Sequence, residues 1–309
     1  MFGISFLTAS GAVRRSPVAP PPGVRHVALL RRGRRNGSIT RFITPWDIAE
    51  LSQPFVFLGY SEPASGSQML LTAPPPFGIA RLTLVLSGAL TFEDASGTRG
   101  MLTAGGYHWI TRGETGWHDS SGVGGTRLRA FQLWLGLPLS RRNAPAESER
   151  VTAHEVQEQG AVRVVLGQFG HARGRLANAP PDVNYFHVRL KQGHHWRYTA
   201  PEGHNVTWLA VDRGGLTLQA GERVHREQLA LFGDSPGAIE MQAVGDTSFV
   251  LGSARRSSHP MVLGDDWPND TTLAPGEQTL QGGRRARVQR AGPSSRAWAS
   301  GDVGGRGRL

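Results

Sequence analysis

The 309-residue chain contains no cysteine, which excludes disulfides, thiolate zinc sites and cysteine nucleophiles at once. Lys191 is its one lysine, so the net charge of +10 is carried by arginine. No apolar run approaches the roughly 18 residues of a membrane span. "MFGISFLTASGA" lacks the basic start of a signal peptide, so a soluble, cytoplasmic protein is expected. Acids are missing where the arginines gather: residues 1–42 hold eight arginines and no acid, and residues 271–309 hold seven arginines against Glu277 and Asp302. These ends account for +8 and +5, leaving −3 for the middle of the chain. A nucleic-acid surface is therefore not indicated for the folded part, and both ends are expected to pack poorly.

What the chain does have is glycine, 41 residues, and proline, 20 residues, punctuating short β-branched and aromatic segments. "PFVFLGY", "RLTLVLSGALTFED", "LRAFQLWLGLP", "NYFHVRLKQG" and "VTWLAVDRGGLTLQA" read as strands bounded by turns. "LVLSGALT" (84–91) and "LAVDRGGLT" (209–217) share a strand, glycine, strand pattern about 125 residues apart, the spacing of a duplicated domain. The expected fold is all-β, with two antiparallel barrels and few short helices. The proline-bearing stretch between them reads as a linker, with a short helix around Glu147–Gln159.

"ITRFITPWDIAELSQPFVFLGYSE", "GIARLTLVLSGALTFEDASGTRG", "TAGGYHWITRGETGWHDS", "NYFHVRL" and "PEGHNVTWLAV" occur in an order and spacing that resemble the pirin family of two-domain cupins, bacterial quercetin 2,3-dioxygenase-like members included. The resemblance implies a bicupin of two double-stranded β-helix barrels. It divides the chain into a basic N-terminal extension (1–37), an N-terminal cupin domain (38–140), a linker (141–160), a C-terminal cupin domain (161–265) and a basic, poorly ordered tail (266–309).

The family pattern also implies a mononuclear site in the N-terminal barrel, formed by an HPH tripeptide before the G-I/F strand and by a later histidine with a carboxylate two residues on. Two imidazoles at i and i+2 of a strand share a face, and a His/His/His/Glu set suits a divalent iron-like metal. Counted from Gly78, the HPH histidines fall on Pro74 and Pro76, which cannot bind; the later histidine falls on His118 and the carboxylate on Ser120. The glutamate of ordinary cupins falls on Ala80, and a second-motif position falls on His108. If the barrel once held a metal, Pro74, Pro76, Ala80, His108 and His118 surround one cavity, with Phe77 filling space beside it. His108 and His118 then remain as candidate ligands of a single divalent metal (Fe, Ni, Cu or Zn), or as hydrogen-bonded barrel histidines with no cofactor. His194 and His195 fall in a turn and strand start, and His204 at a turn position, none of them ligands.

The function expected is that of a pirin-like bicupin with a degenerate metal site: a non-catalytic, monomeric small-molecule-binding or regulatory protein, with a small molecule or a protein as partner. The alternative implied by the family is a metal-dependent dioxygenase of the quercetinase type.

Overall fold

The computed structural model describes residues 23–63, 75, 77–94, 97, 99–111, 115–119 and 126–257, the side chains at 92, 94 and 115–119 excepted. The tail 266–309, the first 22 residues, Pro74, Pro76 and Ser120 lie outside the described residues.

Two antiparallel seven-stranded sheets dominate. The N-terminal sheet runs Ser148–Val151, Tyr107–Ile110, Ile79–Ser87, Arg129–Gly136, Phe55–Ser61, Ile39–Ile43, Arg34–Asn36. The C-terminal sheet runs Val27–Arg32, Gln228–Phe232, Val206–Arg213, Thr247–Ala254, Val183–Leu190, Val162–Leu166, Glu158–Gln159. Each is faced by a smaller sheet, of three strands in the first half and four in the second. The two halves repeat one design, and the matched segments noted in the sequence form matched corners at which the chain leaves a strand of the large sheet and enters a strand of the smaller one. Their turn glycines, Gly88 and Gly214, share a φ of +74°, a conformation that costs glycine nothing and an L residue about 1–2 kcal/mol.

Strand alternation gives each large sheet two faces. Ala80, Leu82 and Leu84, with Tyr107, Trp109, Phe131 and Leu133, join Val206, Trp208, Ala210, Leu231 and Val250 in one buried cluster between the two large sheets. Phe55 meets Trp208 there edge to face at 5.1 Å. The opposite face of the C-terminal sheet packs on its smaller sheet through Leu209, Leu251, Phe186, Leu216 and Met241. In the N-terminal half the equivalent apolar contact among the described residues is Val85, Leu128 and Ala130 with Leu90 and Leu102.

Two expectations are corrected. Residues 23–36 are not a loose basic extension. Val27–Arg32 adds an edge strand to the C-terminal sheet by pairing with Gln228–Phe232, and Arg25 is buried, donating to the carbonyls of Gly233 at 2.7 Å and His204 at 3.1 Å. The arginines are neutralised by acids distant in sequence: Arg31 pairs with Asp47 at 2.5 Å, and Arg32 and Arg35 with Glu227. Local charge counting could not see those partners. Nor does the stretch around Glu147–Gln159 form a helix. Ser148–Val151 pairs with Tyr107–Ile110, and Glu158–Gln159 pairs with Val162–Leu166. Open sheet edges recruit these segments, and main-chain pairing outweighs their weak helix preference.

Candidate functional site

The residues of Ile79–Ser87 that do not enter the inter-sheet core are Ile79, Arg81, Thr83, Val85 and Ser87. Paired residues of an antiparallel ladder point to the same side, so the register carries this face across the sheet. His108 lies opposite Thr83, Thr83 opposite Gln132, Gln132 opposite Gly59, Gly59 opposite Arg41 and Arg41 opposite Arg34. Arg150, opposite His108, completes the row. Next to this row stands Arg81, paired with Ile110 and Trp134.

This inner face is polar although it is buried. Arg81, Thr83, His108, Gln132 and Ser61 are each at most 1% exposed. The hydroxyls of Thr83 and Ser61 find no hydrogen-bond partner, and a buried hydroxyl in that state marks a place for water or a ligand. Gly59 keeps the centre of the row free of a side chain, because a methyl group there would come within 2.9 Å of the Phe57 ring. Burial lowers the Arg81 guanidinium to about 10, still protonated at neutral pH, and shifts Arg41 in the same direction. Among the described residues, this face carries no aspartate or glutamate.

His108 lies on the inner face, with its Nε2 2.9 Å from the Ser148 hydroxyl. His118 lies on Thr115–Asp119, its Cα opposite Thr91, while Asp119 is opposite Leu90; its side chain lies outside the description. Ala80 is not beside His108. It pairs with Leu135 and packs into the core between the large sheets, because one step along a strand reverses the face. Phe77 does not fill a barrel cavity, being 67% exposed. Among the described residues no group of three or more His, Cys, Asp or Glu side chains could hold a metal ion, so the described donors do not fit a His/His/His/Glu centre.

The other histidines lie away from this face. His194 sits in a turn and His195 opens a strand, both exposed. His204 is buried in the C-terminal half, its Nδ1 2.8 Å from Ser253 Oγ, which in turn lies 2.6 Å from the Tyr198 hydroxyl. Arg81, Thr83 and Gln132 were not singled out from sequence. Their signal was present, since each interrupts a run of Leu or Phe at alternate positions of "RLTLV" and "AFQLW".

Paired antiparallel sheets repeated along one chain, with a histidine-bearing inner face in the first half, define a cupin-type bicupin. Residues 37–135 match the Pirin family model. The chain is 27% identical over 227 residues to a Pseudomonas aeruginosa protein that bears a quercetin 2,3-dioxygenase name, covering 68% of this chain and 77% of that one. It is 27% identical over 236 residues to a pirin-like protein of Caulobacter vibrioides, covering 72% and 83%. Among solved structures, a quercetin 2,3-dioxygenase from Acinetobacter baumannii aligns with a TM-score of 0.67 at 20% identity, covering 77% of this chain and 89% of that one. The Escherichia coli pirin YhhW, solved in complex with nickel(II), aligns with a TM-score of 0.57 at 18% identity, covering 74% and 99%. At such identities these two structures report the fold.

No helix among the described residues is long and apolar enough to cross a membrane.

Proposed function

We propose that this pirin-like protein is a cytoplasmic, monomeric binding protein that receives a small organic molecule on the inner face of its N-terminal sheet, and that it does not perform quercetinase chemistry. The observation that carries this reading is a pair of buried hydroxyls on this face, those of Thr83 and Ser61, which find no hydrogen-bond partner; a buried hydroxyl in that state marks a place for water or a ligand. A metal centre at His108 has less support, since among the described residues no group of three or more His, Cys, Asp or Glu side chains could hold a metal ion.

The runner-up reading, a metal-dependent dioxygenase, is favoured by the names of the relatives. One experiment separates the two. The purified chain is loaded separately with Fe(II), Ni(II) and Cu(II), its metal content is measured, and oxygen uptake is followed with quercetin. Substoichiometric metal and no quercetin-dependent uptake are expected. Tight one-to-one metal with oxygen uptake that is lost in His108→Ala or His118→Ala establishes the dioxygenase instead.

A further inference from the structure

We infer that a row of arginines along the seam between the two halves is a docking surface for an acidic, carboxylate-rich segment of a partner protein.

Arg32, on the edge strand of the C-terminal sheet, and Arg226, on the turn before Gln228–Phe232, come alongside Arg35 and Arg127 of the N-terminal half, and the four share two carboxylates. Glu227 lies 3.5 Å from Arg32, 3.8 Å from Arg35 and 3.9 Å from Arg226. Glu62 pairs with Arg226 and lies 3.9 Å from Arg127. Four positive charges against two negative ones leave the cluster an excess of two. Depth then sorts the signs: the side chains of Arg32, Arg35, Arg127 and Arg226 are 76%, 60%, 63% and 50% exposed, those of Glu227 and Glu62 only 12% and 18%. A partner therefore meets guanidinium outermost, with the acids beneath. Exposed ion pairs add little to stability, and Glu227 holds its place with a φ of +61°, a conformation that a residue with a Cβ adopts at a cost. The fold alone does not call for this arrangement. Guanidinium forks match carboxylates in geometry as well as charge, and here they already seat two of them. An extended acidic chain offers further carboxylates on one face every ~7 Å, and so can follow the arginines across the seam. A nucleic acid would meet the same charge, but its sequence-tolerant capture also uses open aromatic faces for the bases. The aromatic side chain in contact with this cluster, Tyr60, is 1% exposed, and its hydroxyl donates to Glu62 at 3.1 Å.

The test uses the full chain and two fluorescent probes of equal length, a polyglutamate peptide and a single-stranded oligodeoxythymidine, followed by anisotropy at about 50 mM and about 300 mM salt. Saturable binding of the peptide is expected, tighter than that of the DNA and weakened by the added salt, which screens exposed charges. Arg32→Gln and Arg35→Gln, both at side chains too exposed to put folding at risk, are each expected to weaken the peptide by up to about fivefold, the measure of one exposed ion pair. Arg197→Gln is the control: it removes the same charge from a side chain 67% exposed that pairs with Glu240 on the four-stranded sheet, and it should leave the affinity unchanged. DNA bound as tightly as the peptide, or more tightly, overturns the inference in favour of a nucleic-acid surface. An equal loss in Arg197→Gln overturns it too, because net charge then suffices without the seam. So does a peptide that fails to bind at the lower salt.

Discussion

The two large sheets can be compared strand for strand along one transverse row of their inner faces. In the N-terminal sheet the row reads Arg150, His108, Thr83, Gln132, Gly59, Arg41. At the same strand positions the C-terminal sheet has Leu30, Ala230, Leu209, Leu251, Phe186, Val164. Apart from one edge strand, strand order and the turn glycine are the same in both, so backbone topology does not account for the difference. The second half spends its inner face on stability, burying aliphatic and aromatic surface worth roughly 1.5–3 kcal/mol per side chain. The first half has given up much of that gain and buries polar groups instead, which is unfavourable for each group that is left without a hydrogen bond, as the hydroxyls of Thr83 and Ser61 are. A duplicated fold thus lets one copy support the other: the shared cluster between the sheets, with Phe55 against Trp208, holds the polar half to an apolar one.

The largest expected effect comes from the charge pair that joins the halves. Arg129 Nη1 lies 2.6 Å from Asp212 Oδ2, and the Asp212 side chain is fully buried. Arg129→Met leaves an uncompensated buried carboxylate and is expected to cost about 3–5 kcal/mol at pH 7.5 in urea unfolding. Burial raises the Asp212 carboxyl to about 6, although Arg129 and Ser248 oppose the shift. Because the folded state then holds the proton more tightly than the unfolded chain, this group's contribution to stability is greatest below about pH 4 and is lost as pH rises through about 6. Urea midpoints at pH 5 and 7.5 check the sign. Asp212→Asn should flatten that part of the profile, and Arg129→Met should steepen it.

Next come the paired inner faces themselves. Leu251→Ala, in the apolar row, is expected to lose about 2–5 kcal/mol. Thr83→Val, in the polar row, removes a hydroxyl that has no partner and keeps the volume. It should be neutral or stabilising by up to about 1 kcal/mol. Calorimetric melting of both variants tests the asymmetry directly, and equal losses would dissolve it.

The turn glycines sharpen the comparison. Alanine at either Gly88 or Gly214 should cost about 1–2 kcal/mol for the positive φ alone. Gly214→Ala should cost more, since its methyl would meet Thr247 Oγ1 at 2.5 Å, whereas at Gly88 the nearest atoms lie at 3.0 Å. A comparable effect belongs to the approach to the edge strand of the second sheet. Arg25→Ala loses hydrogen bonds to the carbonyls of Gly233 and His204 and should cost about 1–3 kcal/mol. Faster amide exchange over residues 27–32 is its readout.

Much of this could be read directly along the chain. Alternation within "RLTLV" and "AFQLW", punctuated by glycine, sets strand type and period, because a pleated strand offers its two faces to successive residues whatever lies beyond it. The glycines of "SGAL" and "RGGL" mark turns, since only glycine takes φ near +74° without strain. Family motifs and the polar character of His108 were equally visible. Which face meets which neighbour was not. Ala80 and Arg81 are adjacent in sequence, and only the register against Leu135 and Trp134 decides that the alanine enters the apolar core and the arginine the inner face. The arginines of residues 31–35 looked like solvated charge until Asp47 and Glu227 came alongside, and Arg34 met Arg41 only when their strands paired. Periodicity is a property of a strand by itself, whereas the facing, pairing and neutralisation of its side chains depend on residues tens to hundreds of positions away, and only the assembled sheets bring those together.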